Sequence, residues 1–245
     1  NAAIGNDALR VNTTGFYNAA FGSSALRNNS VGYYNVAMGG VALLNNDTGN
    51  FNVGVGAFAL YQNKADGNTA LGYRAAYSNS SGVENTAIGN QALNQNVTGF
   101  SNTAVGYFSL NANNSAYNTT VGARAMEKNT DGQRNTAMGY FSLNKNLIGN
   151  DNAAFGFQAL ANATGTDNTA IGSNALSLLT EGWENTVLGN EAMQNAESTG
   201  RNTAIGKRAL RNCVSSAAAN GNTAVGYLAA ESNTLGIDNV AIGTN

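Results

Sequence analysis

The chain repeats itself about every 17 residues, and no other feature restricts its fold as tightly. A pentamer of Asn, any residue, a small residue, an apolar residue and Gly begins at Asn1, Asn18, Asn35, Asn52, Asn68, Asn85, Asn102, Asn118, Asn135, Asn152, Asn168, Asn185, Asn202, Asn222 and Asn239. The spacing is 17 residues with a few of 16, and one of 20 between Asn202 and Asn222. The consensus is Asn-Thr-Ala-Ile/Val-Gly-x-x-Ala-Leu-x-x-Asn-x-x-Gly-x-x, with positions counted from its first Asn. Helical repeats need roughly 30 residues or more for a helix pair. A unit of this length suits one short strand, a bend, a second extended or single-turn helical segment, and a return. It cannot bury an apolar face alone, but stacked copies build a continuous core. The expected fold is all-β, a parallel β-solenoid of about fifteen coils occupying 1–245 as a single repeat domain. Asn1 opens a repeat and Asn245 falls inside one, so the chain is expected to lack terminal caps and to belong to a longer fibre or filament.

Each column of the repeat carries an expectation. Position 4 is always apolar, as at Ile88, Val105 and Ile171, and is expected to form the core together with the position 9 column of Leu93, Leu110 and Leu176. Strand alternation puts positions 2 and 4 on one face and position 3 on the other. With position 4 inward, position 3 faces outward, yet it is Ala in twelve of the fifteen units. A run of outward alanines reads as a subunit interface, with Ala87, Ala104, Ala137, Ala170 and Ala204 as its members. The Thr column at position 2 then turns inward, which argues against a regular ice-facing surface. The Asn at position 1 is expected to bond local backbone and to stack on its equivalents. Gly at position 5 ends the strand, and a second Gly near position 15 marks another bend. The absence of Pro agrees with backbone N–H groups being needed between coils.

Composition removes several functional classes. The twelve basic residues are thinly spread against fourteen acidic ones, so no stripe exists for a nucleic-acid backbone. Apolar runs are only a few residues long, far short of a membrane helix, so no membrane insertion is expected. There is no His and a single Cys213, which leaves no zinc or Cys/His catalytic site and suggests a buried or incidental thiol. No catalytic triad, carboxylate pair or phosphate loop recurs, so the chain is expected not to be an enzyme and to need no cofactor or metal.

The motif Asn-Thr-Ala-Ile-Gly at 85–89, 168–172 and 202–206 resembles the repeat of trimeric autotransporter adhesin heads, and the fuller unit is similar to repeats of phage tail-fibre proteins. The resemblance covers essentially the whole chain. It implies a left-handed parallel β-roll, commonly trimeric, displayed outside the cell on a cell surface or virion. The 17-residue unit is longer than the usual adhesin-head repeat, so a turn must be lengthened or a short helical turn added around Ala-Leu.

Aromatic residues recur at position 6 as Tyr73, Tyr107, Tyr140, Phe157 and Tyr227, and before the strand, where Trp183 stands. Such rings stack on sugar rings of a host glycan or, more simply, cover the ends of the coil core or fill the seam between subunits. The insert 213–219 in the long coil is expected to bulge outward as a loop. The expected function is a structural and adhesive surface fibre, an adhesin head or tail-fibre shaft. Its partners are other copies of itself and a host surface glycan or protein. The alternative is a self-assembling extracellular filament or matrix protein.

Overall fold

The computed structural model describes residues 1–213 and 221–244 and is a parallel β-solenoid, without helix among the described residues. The chain forms two compact units, Asn1–Thr119 and Thr120–Asn245. In the first, seven three-residue strands follow one another: β1 (Ala2–Ile4), β2 (Ala19–Phe21), β3 (Val36–Met38), β4 (Val53–Val55), β5 (Thr69–Leu71), β6 (Thr86–Ile88) and β7 (Thr103–Val105). β8 (Thr119–Val121) contains the unit boundary. The second unit carries β9 (Thr136–Met138), β10 (Ala153–Phe155), β11 (Thr169–Ile171), β12 (Thr186–Leu188), β13 (Thr203–Ile205), β14 (Thr223–Val225) and β15 (Val240–Ile242). Within each unit neighbouring strands pair in parallel at the repeat register, so Thr86 faces Thr103 and Ala87 faces Ala104. The expected bulge at 213–219 lies, beyond Cys213, outside the described residues.

The strand is short because Gly at position 5 stops it. Gly89 sits at φ +132°, and a Cβ there would lie 2.5 Å from the carbonyl oxygen of Gly106 in the next coil. Only glycine meets both conditions. Two consecutive turns then replace the expected second strand or helical turn. Ala92 N–H donates to the Gly89 carbonyl, and Asn96 N–H to the Leu93 carbonyl. Gln91 at φ +56° and Leu93 at φ +49° adopt left-handed conformations, as do their equivalents in the other coils. Such a conformation is unfavourable for leucine. It is held because the Leu93 N–H donates across to Ser109 at 3.0 Å while the side chain is completely buried.

Two asparagine columns stitch the coils. The Asn102 N–H and Nδ2 both donate to Oδ1 of Asn85 in the previous coil, at 3.0 and 3.1 Å. Nδ2 also donates to the Ser115 carbonyl, closing its own coil, and Oδ1 accepts from the Asn118 N–H. Position 12 repeats the device: Asn96 Nδ2 donates to Oδ1 of Asn79 and to the Gly99 carbonyl. In the second unit this column changes after Asn146 to Ala163, Leu179, Ala196 and Cys213, all buried. The thiol of Cys213 thus occupies an interior position. Differences in coil length are absorbed beside this column: Asn46 bonds the carbonyl three residues on, at Gly49, whereas Asn63 and Asn113 in 16-residue coils bond the carbonyl two residues on.

The strand faces the opposite way from the expectation. Ala87, Ala104, Ala137, Ala170 and Ala204 are completely buried within the single chain, so they form interior and not a subunit interface. Ile88 and Val105 are only half-buried and Ile171 is 40% exposed, so position 4 lies on the outer face of the sheet. Leu93, Leu110 and Leu176 fill the interior opposite the alanines. The reason is space. At Gly54, the position 3 residue of its coil, a Cβ would already stand 3.2 Å from Leu43 Cγ. The gap between strand and leucine column is therefore narrow, filled by a single methyl in twelve of the fifteen coils and by nothing larger than Val187 or Thr120, and the bulkier position 4 side chains are left outside.

This geometry sets the outcome of two substitutions. Ala104→Glu places a charge in a space filled by one methyl and is expected to cost several kcal/mol or prevent folding. Ile88→Asp is expected to cost only about 1 kcal/mol in a dilute sample; thermal unfolding of the two variants orders them. Asn102→Asp replaces a buried donor with an acceptor facing the Asn85 and Ser115 oxygens. It is expected to lose at least about 3 kcal/mol by the same measurement.

Candidate functional site

The sheet face is the most regular surface of each unit. Positions 2 and 4 point outward, giving pairs such as Thr69 and Leu71, Thr86 and Ile88, Thr169 and Ile171, and Thr186 and Leu188. In the first unit the position 4 column runs Ile4, Phe21, Met38, Val55, Leu71, Ile88, Val105 without a charge. In the second it runs from Val121 through Met138, Phe155, Ile171, Leu188, Ile205 and Val225 to Ile242, again without a charge. Met38, Leu71, Met138 and Leu188 remain between 42% and 48% exposed. The threonine column is therefore outward, so the reason for excluding an ordered-water face falls away. The uneven sizes of Phe21, Met38, Val55 and Leu71 nevertheless deny that face a flat surface.

Charges gather instead on the turns, where coil stacking pairs residues 17 apart. Arg134 lies 2.7 Å from Asp151, Arg201 2.9 Å from Glu184 and Arg208 2.7 Å from Glu191. The hydrogen bond from Arg134 holds the Asp151 carboxyl below the ordinary range, and that from Arg208 does the same for Glu191. Among the described residues no three His, Cys, Asp or Glu side chains gather to hold a metal. Among the described residues no helix is long and apolar enough to cross a membrane.

The aromatic candidates fall into distinct settings. At the strand entry of the first unit, Phe16 stacks on Tyr33 with centroids 5.0 Å apart and planes within 2°. Beside them Tyr17, Tyr34 and Phe51 form a second stack at 5.0 and 5.5 Å. Stacking occupies ring faces, leaving these rows mainly edges for a sugar, so they act chiefly as packing between coils. Tyr107 and Tyr140 stand exposed against Phe108 and Phe141, each at 4.5 Å, and Phe157 stacks on Tyr140 at 5.8 Å. Tyr227 is exposed on its own coil. The Trp183 ring lies over Gly200, where a Cβ would be 3.0 Å from Cε2, and it helps line a shallow hollow of about 370 Å³ with Ile148, Thr166 and Glu181.

Tyr73 has the richest surroundings. The Arg74 guanidinium carbon lies 5.3 Å from the Tyr73 ring centre, 5.6 Å from that of Phe58 and 5.4 Å from that of Tyr77. Tyr61 stacks on Tyr77 at 5.0 Å with planes within 4°. Only Tyr73 among these belonged to the candidates recognised in the sequence. Phe58 and Arg74 stand at position 7, Tyr61 and Tyr77 at position 10, and aligning the repeats by column is the signal that brings them together. Comparison of the chain with family models, with curated proteins and with solved structures gives no match.

The depressed carboxyls set the direction of one pH effect. Their contribution to stability is complete above the ordinary carboxylate value and is lost as pH falls through the lower value they have in the folded chain. The melting temperature of wild type is expected to exceed that of an Arg134→Gln/Arg208→Gln variant slightly at pH 7. The difference should shrink below about pH 4, as thermal scans at several pH values will reveal.

Proposed function

We propose that this chain is a structural and adhesive fibre segment of a cell surface or virion, self-associating through its sheet face and presenting its turn surfaces to a host or neighbouring cell. The observation that carries the reading is the unbroken apolar column at position 4 in each unit. Monomeric soluble proteins avoid contiguous apolar rows of this kind, because they associate. A second copy of the chain is the natural occupant. It has the same column at the same inter-coil spacing of about 4.8 Å, so its side chains interdigitate coil after coil. A partner without the repeat would match at one or two coils only. No charge on this column opposes a like surface.

The resemblance to trimeric adhesin heads and tail-fibre repeats supports three-fold assembly, a left-handed coil and an extracellular location. Repetition along the stack then supplies avidity, since weak contacts on successive coils act together. The filament alternative differs in having open ends that stack, and electron microscopy separates discrete rods from indefinite growth.

Light scattering tests the assembly. Wild type is expected at a multiple of the chain mass, three-fold on the adhesin-head resemblance. A variant carrying Leu71→Lys, Ile88→Lys, Ile171→Lys and Leu188→Lys is expected at the mass of one chain with its β circular dichroism retained. A wild-type mass of one chain at high concentration would remove the proposal.

A further inference from the structure

We propose that Arg74 and the rings around it form a binding site for an anionic saccharide, one bearing a carboxylate or sulfate group. The starting observation is electrostatic. Seven of the eight arginines, Arg10, Arg27, Arg124, Arg134, Arg201, Arg208 and Arg211, lie within 3.9 Å of a carboxylate. Arg74 has no such partner among the described residues. Positions 6, 7, 10 and 11 of its own coil and of the coil on either side contain no Asp or Glu.

The guanidinium is nevertheless held in place. It lies against three rings, and the Arg74 N–H and carbonyl are tied to the coils on either side through Ala57 and the Asn94 amide. Arg74 and Tyr73 are exposed, whereas Phe58, Tyr61 and Tyr77 are half-buried beneath them. A planar donor fork fixed on an apolar floor matches a carboxylate or sulfate bidentately. The Tyr73 ring meets Phe58 in an edge arrangement, planes at 83°, so it is not consumed in a parallel stack as Tyr17 and Tyr34 are. Arg74 covers part of this ring, which stays 42% exposed, and the uncovered surface is offered to the apolar side of a pyranose ring. The next coil adds Asn90 and Gln91, whose amides supply donors and acceptors for sugar hydroxyls. An anion, an apolar ring face and several hydroxyls occur together in acidic sugars.

This assignment takes from the proposed function only that the chain attaches to surfaces. Its test is calorimetric titration of the full chain with sialyllactose, a chondroitin sulfate tetrasaccharide, lactose and inorganic phosphate. At least one anionic saccharide is expected to bind with Kd of about 1 mM or tighter. It should bind at least ~10-fold tighter than lactose or phosphate. Arg74→Gln should weaken it at least ~10-fold, Arg74→Lys less, and Tyr73→Ala at least ~5-fold. Unfolding curves for Arg74→Gln should match wild type, and Arg74→Lys gives the same comparison if they do not. The assignment is overturned if neither acidic sugar outbinds lactose, if phosphate alone binds equally well, or if Arg74→Gln leaves affinity unchanged. Light scattering of the same variants separates the two readings: lost sugar binding with intact association concerns this site alone, and lost association in wild type concerns the fibre.

Discussion

Each coil of this chain depends on its neighbours to complete its hydrogen bonds. The strand is three residues long and no helix accompanies it among the described residues, so ordinary secondary structure satisfies little of a coil internally. Instead Thr86 donates to Asn102 in the following coil, while Gly106 donates back to Ile88. The asparagine amides add a second set of bonds that join within and between coils at once. The composition follows from this arrangement. Proline would remove donors that the neighbouring coil requires, and Asn is the short side chain that both donates and accepts. Its 42 copies reflect buried hydrogen-bonding work as well as turn propensity.

The narrow interior explains what reasoning from residues reaches and where it turns the wrong way. Period, parallel order, the leucine column, and the roles of Asn1 and its equivalents are all visible from spacing. The facing of the strand turns the wrong way because position 4 is always apolar and therefore reads as core. A thick core would take such a column, but here the space between Gly54 and Leu43 has scarcely room for a methyl. The near-constancy of Ala at position 3 was itself the mark of a tightly filled site. The exceptions Gly54, Thr120 and Val187 are buried as well, and Thr120 and Val187 show that the space takes a slightly larger side chain in their coils.

Other features were hidden for a different reason. Leucine has no preference for the left-handed region, so φ +49° at Leu93 is imposed by packing and by hydrogen bonds to the next coil. The grouping of Phe58, Tyr61, Tyr73, Arg74 and Tyr77 arises from superposition of two coils, which sequence order alone presents as scattered residues. The same superposition turns Arg134 and Asp151 into a pair. Surface chemistry in this fold is thus two-dimensional, with one coordinate along the coil and the other across coils. An uncharged sheet face and turn surfaces bearing charges and rings are properties of that map.

The tolerance for 16- and 17-residue coils has a genetic corollary. Because the surplus residue is taken up between the position 12 asparagine and the next carbonyl bend, strand, glycine corner and leucine keep their places whichever length occurs. Recombination between segments that encode equivalent coils can therefore insert or delete a whole coil without asking the remainder to repack. Within such a lineage, reach is set by copy number, and the gene behaves as a ruler whose graduations are single repeats.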